Sequence, residues 1–342
     1  MVRRTVEMEF EFMNYIDRPT QHEELGDMFK QACSNDDVTL NTWRDVWIKH
    51  VTANHKTHGP FGKNSVGLDY QALKFLPTIV AGSGPSLKTN VADLKMASDK
   101  GIPIISCLHN YHFMKDNGIK CFAYVTLDAG QVVIDEISEG GKHKPEEYIE
   151  MTKEDKLYAY TASPPELLEK WKGEIRFFTA CIPDKEVMEE IQAVEDFNVW
   201  VSSGGNVLGG ATYIAKAFLG SGTIAFVGAD FSFSYTNQFH GWDSKYDNNL
   251  GRALRAVDVW GNKVYTWQSY YNFKIWFDWL VCQVKGVWIN CTEGGLMGAY
   301  PEGNIKQVQQ MYLKDFVRMH TFFEDMEEQA VRPNEKSQKI LF

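Results

Sequence analysis

Little in this sequence suggests export or a membrane. Its 6 cysteines include no Cys-x-x-Cys pair. Cys33, Cys107, Cys121, Cys181, Cys282 and Cys291 stand far apart, several inside apolar runs, so they read as reduced, buried thiols. Reduced thiols point to a cytoplasmic protein. The opening residues MVRRTVEMEF hold no apolar stretch, and no signal peptide is expected. Long apolar runs are missing as well: residues 275–289 are interrupted by Asp278, Gln283 and Lys285, which rules against a membrane span. Positive charge is also short. Against 45 acidic residues stand 35 Lys and Arg, a net charge of -10, which argues against a general grip on nucleic acid.

What is present is an ordinary globular composition. The 342 residues are 44% hydrophobic and 23% charged, enough for one large domain with additions or for two. Aromatic content of 13%, with 10 Trp, implies a thick core or stacking surfaces. The organising stretch is residues 77–87, PTIVAGSGPSL, a β-branched run that breaks into a Gly-rich turn. Ser86 is placed to cap a helix suggested by residues 91–97. Glycines at such a join allow close backbone approach to a ligand, and a helix N-terminus attracts phosphate. The turn matches neither the full dinucleotide fingerprint nor a Walker A loop, so a plain strand-to-helix turn is the competing reading.

Residues 1–70 read as a helical extension, with helices over 23–32 and 42–50, a loop at Asp36-Asp37, and a turn-rich linker near residues 54–63. His50, His55 and His58 lack Cys or acidic companions and read as solvated histidines rather than metal ligands. From residue 76 onward strands and helices alternate. Strands are expected over 78–81, 103–107, 121–127, 157–161, 175–178, 223–227 and 287–290. Helices are expected over 111–116, 164–170, from the Ser202–Asn206 turn to Leu219, and over 267–284. This rhythm predicts an α/β fold with a doubly wound, mostly parallel Rossmann-like sheet over 71–305, followed by a helix and polar tail over 306–342.

In such sheets ligands bind beyond the carboxyl ends of the strands. Those ends carry Gly82 to Ser86, then His109, Asn110 and His112, then Asp128. Further on come Ser202 to Asn206, Asp230 with Ser232 and His240, and Thr292 to Gly295. Small, polar and acidic residues therefore gather on one rim.

Three stretches in this order carry a resemblance. Residues 79–88, IVAGSGPSLK, resemble the opening strand and turn of the MptE-like proteins, a superfamily of archaeal 6-hydroxymethylpterin diphosphokinases and flagellin glycosyltransferases. They are also similar to the first motif of bacterial lipo-oligosaccharide sialyltransferases. A second stretch joins Ser202-Ser-Gly-Gly to the small-residue helix ending at Leu219-Gly220 and the strand closing on Gly228-Ala-Asp-Phe231. The third is residues 288–295, WINCTEGG, similar to the "N-x-T-x-G-G" end of the MptE-like domain.

The resemblance implies a nucleotide site built from Gly82, Ser83, Gly84, Ser86, Asn110, Asp128, Ser203, Gly204, Tyr270, Thr292 and Gly294. In the sialyltransferases the position of Ser83 is an Asn. His240 is similar in placement to their general-base histidine, and it forms the catalytic set here with Asp230. The implied activity is a transferase using a nucleotide-activated donor, foremost a glycosyltransferase moving a sugar from a nucleotide-sugar to an acceptor hydroxyl. The acceptor stays open among a glycan, a modified nucleic-acid base and a protein side chain, and assembly as a homo-oligomer is open too. One alternative is a Mg-ATP-dependent pterin-type diphosphokinase, with Asp128 and Asp230 as Mg²⁺ ligands. The other is an inactive nucleotide-binding partner protein. For each acidic residue a plainer role competes: Asp128 capping a turn, and Asp230 bonding a neighbouring helix N-terminus.

Overall fold

The structure is a computed structural model describing residues 23–182, 184–194, 199–233, 253–300 and 303–321. Eleven strands are present among them. In chain order they are β1 (Pro77–Ala81), β2 (Ile104–Cys107), β3 (Ala123–Thr126), β4 (Lys156–Tyr160), β5 (Glu174–Ala180) and β6 (Trp200–Val201). Then come β7 (Thr223–Val227), β8 (Leu254–Val257), β9 (Lys263–Thr266), β10 (Val287–Asn290) and β11 (Val308–Gln310). Nine of them form one sheet in the order β11-β10-β7-β1-β2-β3-β4-β5-β6, with every pair parallel. β8 and β9 make a separate antiparallel hairpin.

The sheet begins in its middle. From β1 the chain winds outward through β2 to β6, then returns to lay β7 on the other side of β1 and continues to β10 and β11. The reversal between β1 and β7 is the topological switch point. Both strands are buried along nearly their whole length, as parallel strands covered on two faces should be. Their register sets Ala81 beside Val227, so the two following turns emerge side by side.

Ten α-helices accompany the described strands: α1 (Glu23–His58), α2 (Val91–Asp99), α3 (Tyr111–Asp116), α4 (Val132–Glu136), α5 (Pro145–Met151), α6 (Pro165–Lys170), α7 (Lys185–Val194), α8 (Val207–Tyr213), α9 (Gln268–Gln283) and α10 over 313–321. α8 lies over β1, β2 and β3, and α1 packs on α6, α7 and α9.

Several expectations change here. The two N-terminal helices are one 36-residue helix, and Asp36-Asp37 lies inside it. Polar residues at 34–37 weaken local propensity only slightly, while packing along a helix holds it together. His50, His55 and His58 are therefore helical, not loop, residues; His50 Nδ1 lies 3.1 Å from the Ala162 carbonyl, and His58 packs on Phe177. Ser86 does not cap α2. It sits within a 3₁₀ turn over Pro85–Lys88, and Asn90 occupies the position before α2. The short edge strands β6 and β11 and the β8–β9 hairpin are absent from the sequence reading. Residues 308–310 form β11, and among the described residues helix follows over 313–321.

Candidate functional site

The turns after β1 and β7 are stitched together at the switch point. Gly82 N–H donates to Val227 O and Gly84 N–H to Gly228 O, each at 2.8 Å. A Cβ on Gly82 would stand 2.5 Å from Gly228 O, so only glycine permits this approach. Above them Asp230 reaches back across the crevice. Its carboxylate accepts from the Ser86 hydroxyl at 2.8 Å and from the Ser86 N–H at 3.3 Å. Burial pushes the Asp230 carboxyl up to about 7, and the Ser86 hydrogen bonds pull it partly back.

The loop after β10 closes the other flank. Thr292 Oγ1 accepts from Ala229 N–H at 3.1 Å, and Leu296 N–H donates to Asp230 O at 2.8 Å. Asn290 Nδ2 donates to Gly294 O and to Gln310 Oε1, which binds this loop to the sheet edge. Phe231 and Glu293 hold positive φ of 49° and 62°, so backbone strain sits on both loops beside the switch point.

Asn110, fully buried, lies beneath the first turn and donates to Ala81 O, Gly82 O and Ser106 Oγ. Ser83 is half-buried on that same turn. The turn at Ser203 and Gly204 starts from β6, five places from β1 in the sheet, about 24 Å at ordinary strand spacing. The chain then crosses the rim, and Leu208 arrives against Gly82: its Cδ1 would touch a Cβ there at 3.4 Å. Ser203 Oγ accepts from Gly205 N–H, and Asn206 caps α8 through Gly209 N–H. Gly204 has φ +60° and lies under the Trp276 ring, whose Cε2 would be 2.6 Å from an added Cβ. Tyr270 stands on the first turn of α9, its ring 6.5 Å from that of Phe273. Leu208 thus packs against the first turn and Trp276 against the second.

Asp128 lies apart from this group. It is exposed at the end of β3, and its Oδ1 accepts from Gly130 N–H at 2.6 Å, closing its own turn. Nearby, burial and then the charges of Asp128 and Glu139 push Glu136 up to about 7. β3 and β7 are three places apart, about 14 Å, while Mg²⁺ needs oxygens at about 2.1 Å. Asp128 accepts from Gly130 N–H and Asp230 from Ser86, on strands that are not neighbours. Among the described residues, no three His, Cys, Asp or Glu side chains converge on a common point. His240 lies outside the described residues.

Two residues of the site were not singled out from sequence. Asn90 is 1% exposed and donates to Glu293 Oε1 at 3.1 Å, and Glu293 also receives Leu313 N–H at 3.2 Å. Asn just before an apolar helical run is an N-cap signal that marks Asn90. Glu293 lies inside the third motif but carries no pattern of its own.

The family model described as "6-hydroxymethylpterin diphosphokinase MptE-like" matches residues 57–236, just over half the chain. The chain belongs to the MptE-like family. The match spans β1 through β7, so the switch point and the Asp230 turn both fall inside it. Among solved structures, the MAf glycosyltransferase from Magnetospirillum magneticum AMB-1 superposes with a TM-score of 0.51 at 15% identity. The superposition covers 78% of this chain and 41% of that one. At this identity the likeness shows a shared fold, and this MptE-like chain spans less than half of its neighbour. No curated protein matches the sequence. Among the described residues, no helix is long and apolar enough to cross a membrane. The described cysteines, Cys107, Cys121, Cys181, Cys282 and Cys291, are free thiols.

Proposed function

We propose that this MptE-like protein is a transferase that uses a nucleotide-activated donor, and that it moves a sugar from a nucleotide-sugar to an acceptor hydroxyl. The observation that carries the reading is the convergence at one switch point of the β1, β7 and β10 turns, with the α8 approach laid against them. Open α/β sheets bind ligands at this place. The MAf neighbour's printed activity supports sugar transfer. Transfer of this kind needs a positioned donor, stabilisation of the leaving group and a base for the acceptor hydroxyl. Asp230, raised to about 7 by burial, is a base candidate at the crevice itself, and His240 is the second.

The family description favours a second reading, a Mg-ATP-dependent diphosphokinase of the pterin type. Separation of Asp128 from Asp230 weighs against the metal arrangement expected for it. Thermal-shift measurements with CMP, UDP, GDP and ATP, each with and without Mg²⁺, test both. Metal-independent stabilisation by a nucleoside mono- or diphosphate supports sugar transfer. Stabilisation by ATP only with Mg²⁺ supports the kinase. No response to any nucleotide removes both and leaves a partner protein without this chemistry. In a sugar-transfer assay, His240→Ala is expected to abolish turnover and retain nucleotide binding; retained turnover removes His240 from the mechanism.

A further inference from the structure

The edge of the sheet opposite the switch point exposes apolar side chains to solvent. β10, β7, β1, β2 and β3 are neighbours in that order and parallel, so all five start on this edge. Val287, Thr223 and Pro77 stand level in register, and the five starts span about 19 Å at ordinary strand spacing. Phe75, two residues before β1, is 87% exposed; Leu76 beside it is 45% exposed, and Val287 at the head of β10 is 42% exposed. The backbone fixes this protrusion. Buried Leu73 donates its N–H to Leu219 O at 2.9 Å, Leu76 N–H donates to Leu73 O at 3.0 Å, and the Ser221 hydroxyl donates to Leu76 O at 3.1 Å. Between these ties Phe75 holds a φ of 72°, a left-handed conformation rare for a bulky residue. Such strain persists only where the surroundings impose it, and here it leaves a phenylalanine ring outside the core.

Charge on this edge is of one sign. The segments that feed the five strands are residues 68–77, 98–103, 118–122, 220–223 and 284–287, and their acidic residues are Asp69 and Asp99. Both are engaged: Asp69 accepts from Lys156 Nζ at 2.9 Å, and Asp99 pairs with Lys95. Lys74, Lys120 and Lys285 in the same segments are exposed and make no ion pair among the described residues. Lys74 Nζ lies 5.1 Å from the centre of the Phe75 ring, so charge and apolar tip sit together. In a chain of net charge -10 this is a local reversal.

That combination selects among partners. A second copy meeting the edge face to face would bring the same lysines against each other. Nucleic acid would use the lysines and leave Leu76 and Val287 unburied. A peptide ligand needs a groove, yet Gly222 and Gly101, before the strands on either side of β1, have nothing within 4 Å of an added Cβ. A Phe-Leu tip among lysines matches the boundary of an anionic bilayer, where apolar side chains enter the acyl region and cations meet headgroups. We propose that the protein docks on an anionic lipid surface through this edge, with Phe75 and Leu76 entering the bilayer and Lys74, Lys120 and Lys285 at the headgroups. The switch-point rim, at the opposite ends of the same strands, then faces away from the lipid.

The test is sedimentation of the full chain with phosphatidylcholine vesicles, either pure or containing about one third phosphatidylserine. Binding is expected on the anionic vesicles, at least about tenfold tighter than on the neutral ones, and weakened at about 0.5 M salt. Phe75→Gly suits the left-handed turn and removes the ring; it should lower affinity about tenfold. Lys74→Glu combined with Lys285→Glu should lower it at least as far. Val132→Ser, and Lys185→Glu combined with Lys263→Glu, alter exposed residues away from this edge and should leave affinity within about twofold. No binding to anionic vesicles, equal binding to neutral ones, or binding indifferent to Phe75→Gly and to the lysine reversals each overturns the proposal. Self-association seen by light scattering and abolished by Phe75→Gly would assign the edge to a second copy and overturn it too.

Discussion

Asp230 and Ser86, 144 positions apart in the chain, are joined by two hydrogen bonds across the β1–β7 switch point, one from the Ser86 hydroxyl at 2.8 Å and one from its N–H at 3.3 Å. The pair joins the ends of two central strands where the fold places its ligand crevice, and several expectations turn on it.

Asp230 should make stability depend on pH in an unusual direction. Its carboxyl is raised from 3.8 to about 7, so the folded state holds the proton more tightly than the unfolded chain. Stability from this group is complete below about pH 4 and is lost as pH rises through 7. Asp230→Asn removes that loss, which is on the order of a few kcal/mol. Urea unfolding between pH 4 and 8 should show the two proteins converging at low pH and the variant more stable at high pH. Parallel curves across the range would refute the assignment.

Gly84→Ala should damage the same joint without straining the backbone. At φ -62° alanine is permitted, but its Cβ would stand 2.7 Å from Asp230 Cγ and 2.8 Å from Gly228 O. A cost of about 1–3 kcal/mol is expected in denaturant unfolding. Gly222→Ala, where nothing lies within 4 Å, is the control and should stay within about 0.5 kcal/mol.

Gly204 and Trp276 should be coupled. Gly204→Ala meets both a left-handed backbone and the indole ring, for a cost of about 2–4 kcal/mol. Combined with Trp276→Leu the cost should fall by at least about 1 kcal/mol relative to the sum of the single variants. Strict additivity would show that the ring does not press on this turn.

The buried pair Lys274 and Asp278 should behave as a unit. Lys274 Nζ lies 2.8 Å from Asp278 Oδ2 and donates to Ala299 O at 2.7 Å, and Asp278 Oδ1 accepts from Gly298 N–H. Burial lowers the Lys274 pKa and raises that of Asp278. Lys274→Met alone strands a buried carboxylate and should cost about 3–5 kcal/mol. Adding Asp278→Asn keeps an acceptor for Gly298 and should recover most of that loss in chemical denaturation. A double variant as unstable as the sum of the two singles would contradict this.

The amino-acid pattern was sufficient for the central strands. β1, β2, β3, β4, β5, β7 and β10 are β-branched or aromatic runs ended by turn residues, and such runs are visible one at a time. The described residues expected on one rim follow the carboxyl ends of these parallel strands, and His240 lies outside the described residues. Local pattern failed where length or polarity hid the element: β6 has two residues, β11 is Val-Gln-Gln, and α1 runs through a polar stretch that reads as a loop.

Order along the chain, strand types and the membership of the rim were thus set by sequence alone, since side-chain period and turn chemistry act over a few residues. Which rim residues meet was decided only by the fold. Strand order puts Asp230 on Ser86 and sets Asp128 after a strand three places from β7, and the crossing chain after β6 carries Leu208 to Gly82. Such pairings depend on contacts between residues more than a hundred positions apart, and no local pattern records them.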